Sequence, residues 1–264
     1  MTLITSRQNP KIKLIRSLDS RKRRNAEGLF LVEGIRHVGE AVEAGAEFDF
    51  VLYSPDQLNS EFAIQLIKRL EISGTGVFQT TEDILTDLAG KEHPQGILAV
   101  VKQQTRSLSS LDGENCPFAV AIESPQDPGN LGTILRTLDA AGATVLIQID
   151  GGTDVFHPTA VRASMGAMFW KPVIKATLEE FSVWVKVQNM NVVGSSAKGT
   201  VDYREAEYTS PVVLMLGTEQ KGLTDKALMI CDQVVRLPMH GRATSLNLSV
   251  AAGILIYEIA ARMQ

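Results

Sequence analysis

The chain has 264 residues, 44% of them apolar, with 26 Lys and Arg against 30 Asp and Glu for a net charge of −4. That size and composition describe a folded globular protein of one large or two modest domains, and exclude a disordered tail or a fibrous repeat. No apolar run approaches the roughly 18 residues of a membrane span, the first residues lack the apolar core of a secretory signal, and Cys116 and Cys231 stand far apart without metal-type spacing; the expectation is a cytoplasmic protein with no membrane segment and no metal.

Taken in chain order, residues 1–105 alternate between helix and strand. The pattern predicts a helix over Pro10–Arg24, then strand Gly28–Val32, helix Ile35–Ala44, strand Phe48–Tyr53 and helix Glu61–Ser73. A short strand Gly76–Gln79, a helix Thr81–Ala89, a turn at His93-Pro94-Gln95-Gly96 and a strand Gly96–Lys102 complete a small α/β domain, a sheet covered by helices. Residues 106–117 are polar and Ser-rich and read as a linker. From 118 onward the strands are Phe118–Ile122, Thr144–Ile149, Asn191–Ser195, Pro211–Leu216 and Gln233–Leu237, with helices between and a last helix to about Met263. Strands alternating with helices give a second α/β domain, 118–264, with a mostly parallel sheet.

The charge is unevenly spread. Residues 1–30 hold eight basic side chains against Asp19 and Glu27, a surplus of six, so the rest of the chain carries an excess of ten acids. Concentration of Arg7, Lys11, Lys13, Arg21, Arg23 and Arg24 in one helical arm is an electrostatic footprint for a polyanion; a solvated helix face is the plainer alternative.

Three strand-to-loop junctions in the second domain carry Gly and polar side chains. Strand Phe118–Ile122 leads into Pro125-Gln126-Asp127-Pro128-Gly129-Asn130-Leu131-Gly132 and on to Arg136. Strand Pro211–Leu216 leads into Gly217-Thr218-Glu219-Gln220-Lys221-Gly222-Leu223, and strand Gln233–Leu237 into a loop that delivers Thr244, Ser245, Asn247 and Ser249 to the final helix. In open α/β sheets ligands sit outside the carboxyl ends of the strands, so three such junctions describe one composite site. Free backbone N–H groups at helix starts add to its capacity for a small ligand.

In order and at suitable spacing, Asn130–Arg136 (N-x-G-x-x-x-R), Gly217–Leu223 (G-x-E-x-x-G-L) and Leu237–Ser249 (L-P-M-x-G-x-x-x-S-L-N-L-S) resemble the signature motifs of the SpoU/TrmH branch of the SPOUT-class RNA methyltransferases. Arg162–Ala167 resembles a further recurrent segment of that family. Departures are small: Leu248 replaces a commoner Val, and Gln220 follows Glu219 where Gly is frequent. The N-terminal stretch Ser6–Lys13, with Phe30-Leu31-Val32-Glu33-Gly34, is similar to the substrate-binding domain that precedes the catalytic domain in the same family. The resemblance implies a C-terminal SPOUT domain with a trefoil knot, which periodicity alone does not show. It also implies a homodimer, for which Leu248, Ala251, Ala252, Leu255 and Ile259 of the last helix offer either an interface or core.

The reaction the resemblance implies is transfer of a methyl group from S-adenosyl-L-methionine to a ribose 2′-hydroxyl of RNA, with ribosomal RNA of the 23S type expected and transfer RNA the alternative. Arg136, about one turn past Asn130-Leu131-Gly132, takes the role of activating the acceptor hydroxyl; a guanidinium suits orientation and alkoxide stabilisation better than proton abstraction. Without the motif, an ion pair of Arg136 with Asp139 or Glu123 is the plainer reading. Asn130 positions Arg136 or RNA, or caps the helix; Glu219 braces Arg136 or neighbouring backbone; Ser245 and Asn247 order the third loop or cap its helix. Gly217, Leu237, Met239 and Leu246 correspond to cofactor contacts, with Ser196 beside the ribose or methionine tail. Arg162 binds RNA phosphate or forms a structural ion pair. A nucleotide-dependent oxidoreductase would need a G-x-G-x-x-G that the chain lacks. A non-catalytic RNA-binding module predicts loss of Arg136, Asn130 or the Ser245-Leu246-Asn247 run, and all are intact.

Overall fold

The computed structural model describes residues 2–58, 60–89 and 96–263. The turn read at His93-Pro94-Gln95 lies outside them. Elements run β1 Thr2–Ile4, α1 Pro10–Ser17, α2 Arg21–Glu27, β2 Leu29–Glu33, α3 Ile35–Glu43, β3 Phe48–Tyr53, α4 Glu61–Ile72, β4 Gly76–Thr80, α5 Glu82–Ala89 and β5 Ile97–Lys102. They continue with β6 Phe118–Glu123, α6 Pro128–Ala140, β7 Val145–Ile149, α7 Pro158–Ser164, α8 Ala167–Trp170, β8 Val173–Ala176, α9 Leu178–Val187 and β9 Asn191–Ser195. The chain closes with β10 Val201–Asp202, β11 Val212–Leu216, α10 Asp225–Leu228, β12 Gln233–Arg236 and α11 Leu248–Arg262.

The first compact unit comprises Met1–Gln104 together with Phe156–Phe169. Its sheet has the order β1-β4-β3-β5-β2, parallel at β1/β4 and β3/β4 and antiparallel where β5 joins β3 and β2. Ile12, Ile15 and Leu18 recur at helical spacing and enter a core with Leu29, Leu31, Phe50, Leu52, Leu98 and Val100. The single helix expected over Pro10–Arg24 is two. The apolar stripe ends at Leu18, and Arg21–Arg24 supplies nothing to prolong it, so the chain breaks at Leu18–Ser20. The later segment Phe156–Phe169 joins this unit through the ring of Phe30, whose centroid lies 4.8 Å from that of Phe156 and 6.3 Å from that of Phe169. Gly166, at φ +96°, ends that segment's turn where a Cβ would strike the side chain of Glu40 at 2.9 Å.

The second unit is Thr105–Val155 with Trp170–Gln264. Seven strands, all parallel, lie in the order β10-β12-β9-β11-β6-β7-β8. β6, β7 and β11 are buried along their whole length, which is why they read as unbroken apolar runs. The Ser-rich stretch read as a linker is anchored rather than free: Leu108, Leu111 and Cys116 are buried in this unit's core, and the Trp184 indole donates to the Leu111 carbonyl at 3.1 Å. β8 and the two-residue β10, absent from the sequence reading, extend the sheet at its two edges. α11 packs against α6.

Candidate active site

Because every strand of the second sheet is parallel, all the loops that leave its C-terminal ends emerge along one edge. β6 and β11 are neighbours, with Ile122 opposite Leu216, so the first two motif loops start side by side. β12 is separated from β11 by β9 alone.

The first loop is held at both ends. Glu123 is buried and accepts from the Thr224 backbone N–H at 2.9 Å and from its hydroxyl at 2.7 Å, fixing the exit of the second loop to the end of β6. Ser124 follows in the left-handed region at φ +43°, its hydroxyl donating to the Asp150 carbonyl at 3.0 Å. Asp127 caps α6 by accepting from the Asn130 N–H at 2.8 Å, and Pro128 occupies the first helical position. Asn130 is therefore not the cap; it stands in the first turn with its side chain released for other work.

The second loop is a tight turn in which Thr218 and Gly222 exchange backbone hydrogen bonds of 3.1 and 3.0 Å. A Cβ on Gly217 would lie 1.9 Å from the Gly222 carbonyl carbon, so only glycine fits. Glu219 accepts from the backbone N–H groups of Gln126 and Asp127, both at 3.2 Å, and from Asn130 Nδ2 at 3.3 Å. It braces the first loop and Asn130, and among the described residues it makes no hydrogen bond or ion pair to Arg136. The third loop ends on Asn247, the N-cap of α11. Its Oδ1 accepts from the Ser249 N–H at 2.9 Å and the Val250 N–H at 3.4 Å, while Nδ2 donates to Asn130 Oδ1 at 3.0 Å.

The polarity of this chain of bonds is forced. A carboxylate only accepts, so Asn130 must turn Nδ2 toward Glu219 and Oδ1 toward Asn247. Asn247 must then present Nδ2 to Asn130 and Oδ1 to the helix N–H groups that need a cap. Three loops, far apart in sequence, are thereby locked in one register.

The remaining expected residues divide. Arg136 lies in the third turn of α6, six residues beyond Asn130, or about 9 Å at 1.5 Å per residue; it is exposed and makes no hydrogen bond or ion pair among the described residues, with neither Asp139 nor Glu123 as partner. Ser245 is likewise exposed on the third loop. Leu237 is half-buried, and Met239 and Leu246 are exposed along that loop. No hydrogen bond among the described residues reaches residues 238–246. Ser196 closes a turn at the end of β9, donating its N–H to Val235 O at 3.0 Å and accepting from the Lys198 N–H on its hydroxyl at 3.2 Å.

The basic arm belongs to the first unit. Lys13, Arg21 and Arg23 are exposed, with Glu27 3.7 Å from Arg23, while Arg7 is 4.0 Å from Asp87, which also pairs with Arg16. Lys11 holds its ammonium 4.3 and 4.5 Å from the ring centres of Phe50 and Phe78. Arg24 is a correction: its Nη1 donates to the carbonyls of Leu18 at 2.7 Å and Asp19 at 2.8 Å, bracing the α1–α2 turn, and at 1% exposure the side chain is closed off from a phosphate. Arg162 lies 3.8 Å from the Glu33 carboxylate, the ion-pair alternative.

Sequence reasoning missed Glu123, Gln126 and Asp127 as parts of the lock. Asp immediately before Pro was the available signal for a cap; nothing local marked Glu123. Among the described residues no group of three His, Cys, Asp or Glu converges to hold a metal ion, and no helix is long and apolar enough to cross a membrane.

The chain is similar over most of its length to proteins of one kind. Residues 117–257 match the SpoU rRNA Methylase family and residues 9–99 the MRM3-like substrate binding domain. A 23S rRNA (uridine(2479)-2'-O)-methyltransferase of Streptomyces viridochromogenes is 32% identical, across 91% of this chain and 85% of that one. A 23S rRNA (guanosine(2553)-2'-O)-methyltransferase of Bacillus subtilis is 29% identical, across 98% and 99%. The AdoMet-bound rRNA methyltransferase of Sinorhizobium meliloti superposes with a TM-score of 0.91 at 33% identity, covering 100% of this chain and 98% of that one.

Proposed function

The chain belongs to the SpoU rRNA methylase family, and from that premise we propose that it transfers the methyl group of S-adenosyl-L-methionine to a ribose 2′-hydroxyl of 23S-type ribosomal RNA. The observation that carries this reading is the chain of bonds from Glu219 through Asn130 to Asn247, which assembles the family's three motifs into one site. Full-length relatives that act on 23S rRNA support the ribosomal substrate over transfer RNA.

The residues present suit the cofactor. The 238–246 strap offers unbonded backbone N–H and C=O groups beside the exposed side chains of Met239 and Leu246, the combination that grips a purine between apolar walls and reads its edge. Gly217 keeps a side chain out of the same edge of the sheet, and Leu237 and Ser196 lie at the neighbouring strand ends. When bound, S-adenosyl-L-methionine supplies a methyl group already activated on a sulfonium. The chain's task is then to orient the acceptor and exclude water. Arg136, uncommitted to any acid, orients the hydroxyl and stabilises its oxygen as negative charge develops. Asn130, Glu219 and Asn247 hold the loops that surround it, and Ser245 faces solvent where the ribose must enter.

We assign residues 1–105 to RNA substrate binding, through Arg7, Lys11, Lys13, Arg21 and Arg23, together with Arg162 of the returning segment, and residues 118–264 to catalysis; the trefoil knot is taken with the family. A homodimer fits α11. Ala252, Leu255 and Ile259 are buried in this chain's own core, whereas Val250, Ile254 and Tyr257 are 50%, 37% and 55% exposed on one stripe at i, i+4 and i+7. A cytoplasmic location accords with a ribosomal RNA substrate; among the described residues no helix is long and apolar enough to cross a membrane.

The test is methyl transfer from labelled S-adenosyl-L-methionine to unmodified ribosomal and transfer RNA by wild type and Arg136→Ala. Label on a ribose 2′-oxygen of ribosomal RNA, reduced about 100-fold or more in the variant as for loss of one oxyanion donor, supports the reading. RNA binding without transfer, and without cofactor binding, overturns it in favour of a non-catalytic RNA-binding module.

A further inference from the structure

The basic arm lies in the first unit, and the composite site lies in the second, within a chain that is acidic overall. A polyanion brought to an acidic surface needs local cations where it must be held. The site's own loops provide them. Lys221 stands two residues after Glu219, and Arg242 five residues before Asn247. Both are exposed, and neither side chain makes an ion pair or hydrogen bond among the described residues. From Gln233 to Tyr257 the sequence contains no Asp or Glu, so no acid of that stretch offsets Arg242. On the second loop the only acid, Glu219, is spent on Gln126, Asp127 and Asn130.

Because Glu219 and Asn247 both bond Asn130, the two cations are tethered to one point. At no more than about 3.6 Å per residue, the backbone of Lys221 lies within about 7 Å of Glu219 and that of Arg242 within about 18 Å of Asn247. Uncompensated cations on these loops do not suit the cofactor. S-adenosyl-L-methionine carries a sulfonium and an ammonium against one carboxylate, a net positive charge that they repel. They suit the phosphates of the acceptor RNA, which must arrive at this same edge. Lys supplies a point charge to a phosphate, and Arg can fork two donors onto one.

We propose that Lys221 and Arg242 clamp RNA phosphates beside the acceptor ribose, so that the catalytic loops contribute their own grip on RNA separate from that of the basic arm. The inference rests on the methyltransferase reading above for the identity of the ligand. Each phosphate contact adds about 0.7 to 0.9 to the slope of log affinity against log salt, or about threefold in affinity between about 50 and about 200 mM salt.

The experiment measures binding of an unmodified 23S-type ribosomal RNA transcript at those two salt concentrations. It compares wild type, the doubly substituted Lys221→Gln/Arg242→Gln protein and the charge-conserving Lys221→Arg/Arg242→Lys protein, with cofactor affinity measured for each. Wild type is expected to lose about tenfold more affinity across the salt range than the double Gln protein, and the charge-conserving protein to keep the wild-type slope. Equal slopes for wild type and the double Gln protein overturn the clamp, as does a weakening confined to the cofactor. The methyltransferase reading fails separately, by wild type that binds RNA but transfers no methyl group to it.

Discussion

Asn247 performs two tasks with two ends of one amide, and an isosteric change separates them. Asn247→Asp keeps the acceptor that caps α11, and Asp caps as well as Asn; the added negative charge at a helix N-terminus is also favourable. What it removes is the 3.0 Å bond from Nδ2 to Asn130 Oδ1, setting two acceptors against each other. Asn130 cannot rescue the contact by flipping, because its Oδ1 would then face the Glu219 carboxylate 3.3 Å away. The lost bond is worth about 1 kcal/mol, and an acceptor left unpaired in a part-exposed site costs about 1 kcal/mol more. If the loops must be in register for transfer, about 2 kcal/mol corresponds to about a 30-fold fall in kcat/KM. Asn247→Ala loses the same coupling and also the cap, worth about 1 kcal/mol. It should match the Asp variant in transfer of labelled methyl yet melt about 2–4 °C below it. Wild-type transfer by Asn247→Asp would refute the claim that this chain of bonds sets the register of the site.

Arg24→Met should destabilise the first unit by about 3 kcal/mol or more, since two charge-assisted bonds are lost and the Leu18 and Asp19 carbonyls are left unpaired; Arg23→Met should leave the denaturant midpoint unchanged, and equal midpoints for the two variants would contradict the structural role. Gly217→Ala drives a methyl group into the Gly222 backbone, and a loss of more than about 3 kcal/mol in thermal or urea unfolding is expected. Burial pushes the Cys116 thiol up to about 11 and the Cys231 thiol up to about 12, with Asp112 and Asp232 adding in the same direction. Both should resist a disulfide exchange reagent at pH 8 until denaturant is added. Raised in the folded state, these thiols favour folding at neutral pH and lose that contribution as pH climbs from about 9, where the unfolded thiols ionise, through the folded values; Cys116→Ser/Cys231→Ser should show a flatter fall of stability across that range.

Most strands and helices, and the kind of chemistry, were legible in the residues themselves, although β8, β10 and the break between α1 and α2 were not. Buried parallel strands such as β6 and β11 must be apolar on both faces, and the loops between them must carry Gly, Pro and Asn, so strand ends and motif loops stand out locally. The tertiary structure decided which polar atoms meet. The bond from Asn130 to Glu219 spans 89 residues and that from Asn247 to Asn130 spans 117, and a partner at such separation leaves no local trace. Arg23 and Arg24 are neighbours of one type, yet one faces water and the other is buried on two carbonyls, because where α1 breaks decides which guanidinium turns inward. Phe156–Phe169 sits in sequence amid the second unit and packs in the first, since its aromatic rings find their partner in Phe30. Composition and periodicity report what each residue prefers as surroundings; only the folded chain assigns which surroundings it receives.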